Sequence, residues 1–163
     1  MEGLHVYESF VAEDHEGLFE KLKGIEWRTV LWGRAKKSLP RLVYKAASSS
    51  DPLYVLLGEV IHKLESDFAC KVTGMWGNYF RSGKDYCPYH RDDYGCKVFC
   101  LVLGNPRKVN FKHNDTGKVI SILPQPGDMY MFEPGVNDHY THAVPKTTKT
   151  EERISILFFV NSI

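Results

Sequence analysis

Apolar residues recur at three- and four-residue intervals through DPLYVLLGEVIHKLES, positions 51–66: Leu53, Leu56, Leu57, Val60, Ile61 and Leu64. That period puts one apolar stripe on an amphipathic helix. Asp51 is placed to cap it, and Pro52 occupies the first turn, where a missing N–H costs nothing. A shorter helix is predicted over DHEGLFEKLK, 14–23, with Asp14 as cap and Leu18 and Leu22 on one face, followed by a strand around Trp27–Leu31. After Cys70 the texture changes. Short runs rich in Val, Ile, Phe and Tyr (VTGMWGNYF, KVFCLVL, KVNFKH, KVISILP, GDMYMFEPG, RISILFFV) alternate with Gly, Pro, Asn and Asp. Such runs read as strands, and NDTGK as a tight turn between two of them. Six or more strands, with helices confined to the N-terminal third, predict a mainly β fold: a sandwich or jelly roll buttressed by helices.

Composition narrows this little. At 163 residues, one domain spanning 1–163 is expected, long enough to bury its core without a staple. The net charge of +1 is uninformative, but its distribution is not. Lys21, Lys23, Arg28, Arg34, Lys36, Lys37, Arg41 and Lys45 stand against Glu26 alone within 21–45. The four cysteines, Cys70, Cys87, Cys96 and Cys100, form no CxxC pair, which argues against a zinc ribbon or thioredoxin-type site and for reduced thiols. MEGLHVYESF has no basic stretch followed by an apolar run, so neither a signal peptide nor membrane attachment is expected. A monomer in the cytoplasm or nucleus is the corresponding expectation.

The chemistry concentrates in two segments. In GKDYCPYHRDD, His90 and Asp92 are two residues apart, so in extended backbone both point the same way. Downstream, GVNDHYTHAVP offers His139 and His142 as a third ligand. Two histidines and a carboxylate on one face of an octahedron leave positions open, the arrangement of non-haem iron(II) oxygenases. An HxD pair alone is weak, since a surface His beside an Asp in a turn looks the same. Arg153 adds weight. It enters the apolar strand RISILFFV, where a guanidinium is costly without a partner, and a dicarboxylate would supply one through paired hydrogen bonds.

Taken together, NYFRSG, HRDD, NDHYTHAVP and RISILFF resemble the AlkB family pattern N-x-Y-x-x-G, H-x-D, H and R-x-x-x-x-x-R. FKHNDTGK looks like the family's segment between core strands, and LPRLVYK like its nucleotide-recognition lid. The eukaryotic DNA-repair branch is the most similar. The resemblance implies a double-stranded β-helix core over 71–163, with N-terminal helices and the lid in 1–70. It implies iron(II) held by His90, Asp92 and His142, with 2-oxoglutarate and O₂ as cosubstrates. His142 rather than His139 is the implied ligand, because it immediately precedes the matching Val144-Pro145 region. Arg153 is implied to pair with the distal carboxylate of 2-oxoglutarate, and Asn78 and Ser155 to face it. Two positions depart from the pattern: the family's Tyr falls on Phe80, leaving neighbouring Tyr79 as a cosubstrate-side candidate, and its second Arg falls on Phe159.

The implied reaction is oxidative dealkylation of N-alkylated nucleic-acid bases, of the 1-methyladenine and 3-methylcytosine type, releasing formaldehyde, succinate and CO₂. A base within a duplex must be flipped or met in a single strand. Asp93 matches a residue that meets the base's amino group. Tyr44 and His90 are candidate stacking groups, Trp32 a candidate wedge, and Arg41 with the basic segment supplies candidate phosphate contacts. Two other classes fit the residues: a hydroxylase or demethylase of protein or small molecules, suggested by Phe80 and Phe159, and a catalytically impaired nucleic-acid-binding module.

Overall fold

RISILFFV is apolar at nearly every position because its strand is interior to a sheet covered on both faces. The computed structural model describes residues 1–92 and 95–163, with Trp32 described by its backbone. In chain order the elements are β1 (Leu4–Tyr7), α1 (His15–Lys23), β2 (Leu31–Trp32), β3 (Lys37–Ser38), β4 (Leu42–Ala46), α2 (Pro52–Leu56), α3 (Gly58–Phe68) and β5 (Cys70–Phe80). They continue with β6 (Cys87–His90), β7 (Val98–Gly104), β8 (Val109–His113), β9 (Val119–Ile122), β10 (Met129–Phe132), α4 (Pro134–His139), β11 (Tyr140–Val144) and β12 (Arg153–Ser162).

The major sheet has the order β1-β10-β7-β12-β5-β4, the minor sheet β6-β11-β8-β9, and every pairing is antiparallel. The fold is therefore mainly β, with the jelly-roll architecture expected. Alternation divides the core in two. One face of the major sheet packs Phe99, Leu101, Ile154, Ile156 and Phe158 with Leu22, Leu53 and Leu64 of the helices. The opposite face packs Phe80, Val98, Cys100 and Val102 with Val109, Phe111 and Val144 of the minor sheet. The candidate chemistry lies in this second layer.

Local differences from expectation have identifiable causes. The 51–66 stripe forms two helices, because Leu57 (φ −101°, ψ 16°) leaves helical geometry between α2 and α3. Asp51 caps α2, accepting from the Leu53 N–H at 2.9 Å. Asp14 makes no side-chain cap on α1: it is left-handed (φ 56°), whereas side-chain capping wants extended backbone. The strand expected around 27–31 shrinks to an Arg28–Val43 bridge followed by the β2–β3 hairpin. Helices are not confined to the N-terminal third, since α4 follows β10. Most of LPRLVYK is β4, paired along β5 from Leu42–Tyr79 to Ala46–Met75. NDTGK is the expected turn between β8 and β9, with Gly117 at φ 72° and its N–H donating to the His113 carbonyl. No helix of the described residues is long and apolar enough to cross a membrane.

Candidate metal centre and adjoining cavity

β6 and β11 place His90 directly opposite His142, and the chain leaving β6 carries Asp92 back to the same point. Asp92 Oδ1 lies 3.3 Å from His90 Nε2, and Oδ2 lies 3.1 Å from His142 Nε2. One ligand atom from each of the three residues falls within 4.8 Å of the others. Among the described residues this is the one such cluster of three or more metal-ligating groups. The supports around it orient the donors. His90 Nδ1 lies 2.8 Å from the Pro88 carbonyl, so a proton there leaves Nε2 directed at Asp92. The Asp92 N–H donates to Oδ1 of buried Asn137 at 3.0 Å, tying the segment after β6 to α4. Phe111 and Phe132 flank the His142 ring at 5.8 and 5.2 Å.

Burial and mutual contact set the charges. Burial disfavours protonated His90, but the contacts with Asp92 and Cys87 outweigh it and push its pKa up to about 10. Burial also disfavours the Asp92 carboxylate, yet His142 and His90 hold it well below the usual carboxylate range. His142 is lowered, chiefly by burial. The two rings thus favour Asp92 as a carboxylate, the charge state in which it can ligate a divalent cation.

A cavity of about 130 Å³ adjoins the three ligands, and Arg41, Asn78, Phe80 and Ser155 help line it. Arg153 shares the inner face of β12 with Ser155 and is 1% exposed. None of its three guanidinium nitrogens has a hydrogen-bond partner. Its guanidinium lies over the Phe80 ring at 5.2 Å, and Arg107 lies near the same ring at 5.4 Å. Arg107 donates to the carbonyls of Asp85 and Pro145, so its hydrogen bonds are spent on the backbone. The hydroxyl of Tyr130 also feels Arg153; its pKa is raised well above normal by burial and by Cys100, against that cation. A buried guanidinium that faces no carboxylate is expensive. The cavity layer thus fits an anionic ligand, and the His-Asp-His donors fit a divalent metal.

The structure gathers His90, Asp92, His142, Asn78, Ser155 and Arg41 around one cavity, with Arg153 behind Phe80. His139 is exposed and lines a separate cavity with His113 and Glu133. Two expectations are corrected. Tyr79 does not face the cavity: successive strand residues alternate, so with Asn78 and Phe80 inward its ring packs on Trp27 and its hydroxyl donates to Glu152. Tyr44 is not placed to stack on a base there. It pairs with Gly77 on the helix-side face, packs edge-on to Trp27 and donates to Asp51. Asp93 lies outside the described residues, as does the side chain of Trp32. Sequence reasoning missed Asn137, Trp76 and Arg107. For Asn137 the sequence carries no signal beyond its place five residues ahead of His142.

No family model matches the chain. DNA oxidative demethylase ALKBH2 of Mus musculus is 28% identical over 97 residues, covering 48% of this chain and 41% of that protein. The match thus spans less than half the length of that relative. The solved structure of OsALKBH1 superposes with a TM-score of 0.66 at 12% identity, covering 96% of this chain and 97% of its own. That likeness speaks for the fold. The sequence match and the shared fold together, at low identity, support an AlkB-like family for this chain.

Proposed function

We propose that the protein is an iron(II)- and 2-oxoglutarate-dependent dioxygenase that removes alkyl groups from N-alkylated nucleic-acid bases. The observation carrying this reading is the placement of His90, Asp92 and His142 in the same inner layer as Arg153, a buried cation that faces no carboxylate among the described residues and lies against the Phe80 ring and the Tyr130 hydroxyl. His90, Asp92 and His142 would hold the metal, and Arg153 would take the distal carboxylate of 2-oxoglutarate. Asn78 and Ser155 present polar groups to the same cavity. Bound iron and 2-oxoglutarate would supply the oxidising chemistry: O₂ and 2-oxoglutarate are consumed, an N-methyl carbon leaves as formaldehyde, and succinate and CO₂ are released. The chain's own part would be to position these groups and keep water away, for which the buried Phe80, Phe111 and Phe132 side chains supply an apolar surround. A nucleic-acid substrate is supported by the relative's being a DNA oxidative demethylase and by the exposed basic residues of 21–45.

The deciding assay supplies iron(II), 2-oxoglutarate and oligonucleotides bearing 1-methyladenine or 3-methylcytosine, and measures formaldehyde and succinate together. Equal release of both is expected. Asp92→Ala and His142→Ala should lose turnover through loss of metal, and Arg153→Ala should chiefly raise the KM for 2-oxoglutarate. Succinate formation stimulated by a protein or small molecule, but never by the oligonucleotides, would replace the nucleic-acid reading with a different substrate class. Metal binding without any 2-oxoglutarate turnover would leave the chain a binding module.

A further inference from the structure

Arg41 just precedes β4, and extending the β4–β5 register brings it opposite Phe80, on the cavity side of the sheet. Its Nε donates to Asn78 Oδ1 at 2.7 Å, and Trp76 Nε1 donates to the same oxygen at 3.0 Å. Guanidinium and indole N–H groups can only donate, so the acceptor must be the amide oxygen, which fixes how the Asn78 side chain is turned. With its oxygen claimed twice, Asn78 has only its NH₂ group to offer a ligand. Asn78 is itself 9% exposed and lines the cavity beside Ser155, its register partner on β12. Phe159, where the family pattern carries a second Arg, brings no charge.

We propose that Arg41 is a positioning residue of the cosubstrate pocket, turning the Asn78 amide N–H groups into the cavity and adding a second cation to that of Arg153. This assignment rests on the 2-oxoglutarate reading above and moves Arg41 from the nucleic-acid side to the cosubstrate side. Arg41 and a donor-only amide on the cavity wall favour an anion there, with Arg153 one ring behind, at Phe80. Because Arg41 leads into β4, the same contact ties the edge strand to the wall that binds the cosubstrate.

The test uses protein loaded with cobalt(II) under argon, so that binding is read without turnover. The cobalt(II) spectrum reports metal, and calorimetric titration reports 2-oxoglutarate. Arg41→Ala and Arg41→Gln should leave cobalt(II) affinity unchanged and weaken 2-oxoglutarate on the order of tenfold or more, as loss of a charge-assisted contact does. Arg41→Lys should recover only part, since it restores the charge without the planar fork. In turnover, KM for 2-oxoglutarate should rise while kcat stays nearly constant. Unchanged 2-oxoglutarate affinity in a folded Arg41→Gln variant would overturn the assignment. So would a loss confined to oligonucleotide affinity, which would return Arg41 to the substrate side. If cobalt-loaded wild type itself took no 2-oxoglutarate, the cosubstrate reading would fail and the role of Arg41 with it, an outcome distinct because the wild type is silent.

Discussion

At the scale of single residues, the candidate centre depends on groups that hold the donors as much as on the donors. Asp92 is the last described residue before positions 93 and 94, and its backbone N–H is held by Asn137. Removing a group that orients a ligand costs metal affinity about 10- to 100-fold in comparable sites. Asn137→Ala is therefore expected to weaken cobalt(II) or iron(II) binding by that order while the Tm moves by only a few degrees, measured by metal titration and thermal unfolding. A large loss of Tm with unchanged metal affinity would instead make Asn137 a fold residue. His90 and Asp92 were legible in the chain because their spacing is local. Asn137 was not, because its partner is 45 positions away. Tyr79 shows the converse: adjacency to Asn78 in sequence means opposite faces in a strand.

At the scale of elements, backbone approaches explain residues that no motif chemistry requires. A Cβ at Gly83 would lie 2.1 Å from the Lys149 carbonyl and 2.2 Å from that of Thr147, where Gly83 exchanges backbone hydrogen bonds with that segment. Only glycine lets the two loops meet so closely. The N-terminal end of β12 is held by a second device. Glu152 accepts from the Tyr79 hydroxyl and sits 3.0 Å from Lys23 Nζ, joining β5, α1 and β12. The Tyr79 hydrogen bond, then Lys23, outweigh burial and lower the Glu152 pKa. A lowered carboxylate stabilises the fold above its unfolded pKa, about 4.3, and that share is lost as pH falls through the lower folded value. The gap in urea midpoint between wild type and Glu152→Gln should thus be present at neutral pH and shrink under acid. A gap constant down to strongly acidic pH would show that the charge of Glu152 does not matter.

At the scale of the molecule, the basic segment resolves into distinct parts. Lys23 is engaged with Glu152, and Arg41 with Asn78. Lys21, Arg28, Arg34, Lys36, Lys37 and Lys45 remain exposed, three of them on or between the strands of the β2–β3 hairpin. If these meet phosphates, binding to an unmodified oligonucleotide must weaken as salt rises, and each contact removed should lower the log–log slope by about 0.7 to 0.9. Replacing Arg34, Lys36 and Lys37 with Gln is expected to flatten that slope without altering metal binding, as read from titrations across a salt series. An affinity indifferent to salt would remove the phosphate role.

By itself the sequence determined what is local or periodic. The helical stripe after Asp51, the strand-rich stretch after Cys70, the turn at NDTGK and the HxD pair all rest on spacings of a few residues, which sterics and hydrophobic burial read directly. Tertiary structure decided what depends on distant chain segments meeting. It set His142, not His139, against His90 through the β6–β11 register, and left Arg153 without a hydrogen-bonding partner in the inner layer. It also turned Tyr44 and Tyr79 towards the helices and brought Arg41 onto Asn78. Strand register and the choice of sheet face carry that information, and neither is a property of any one segment: a shift of one residue exchanges the two faces.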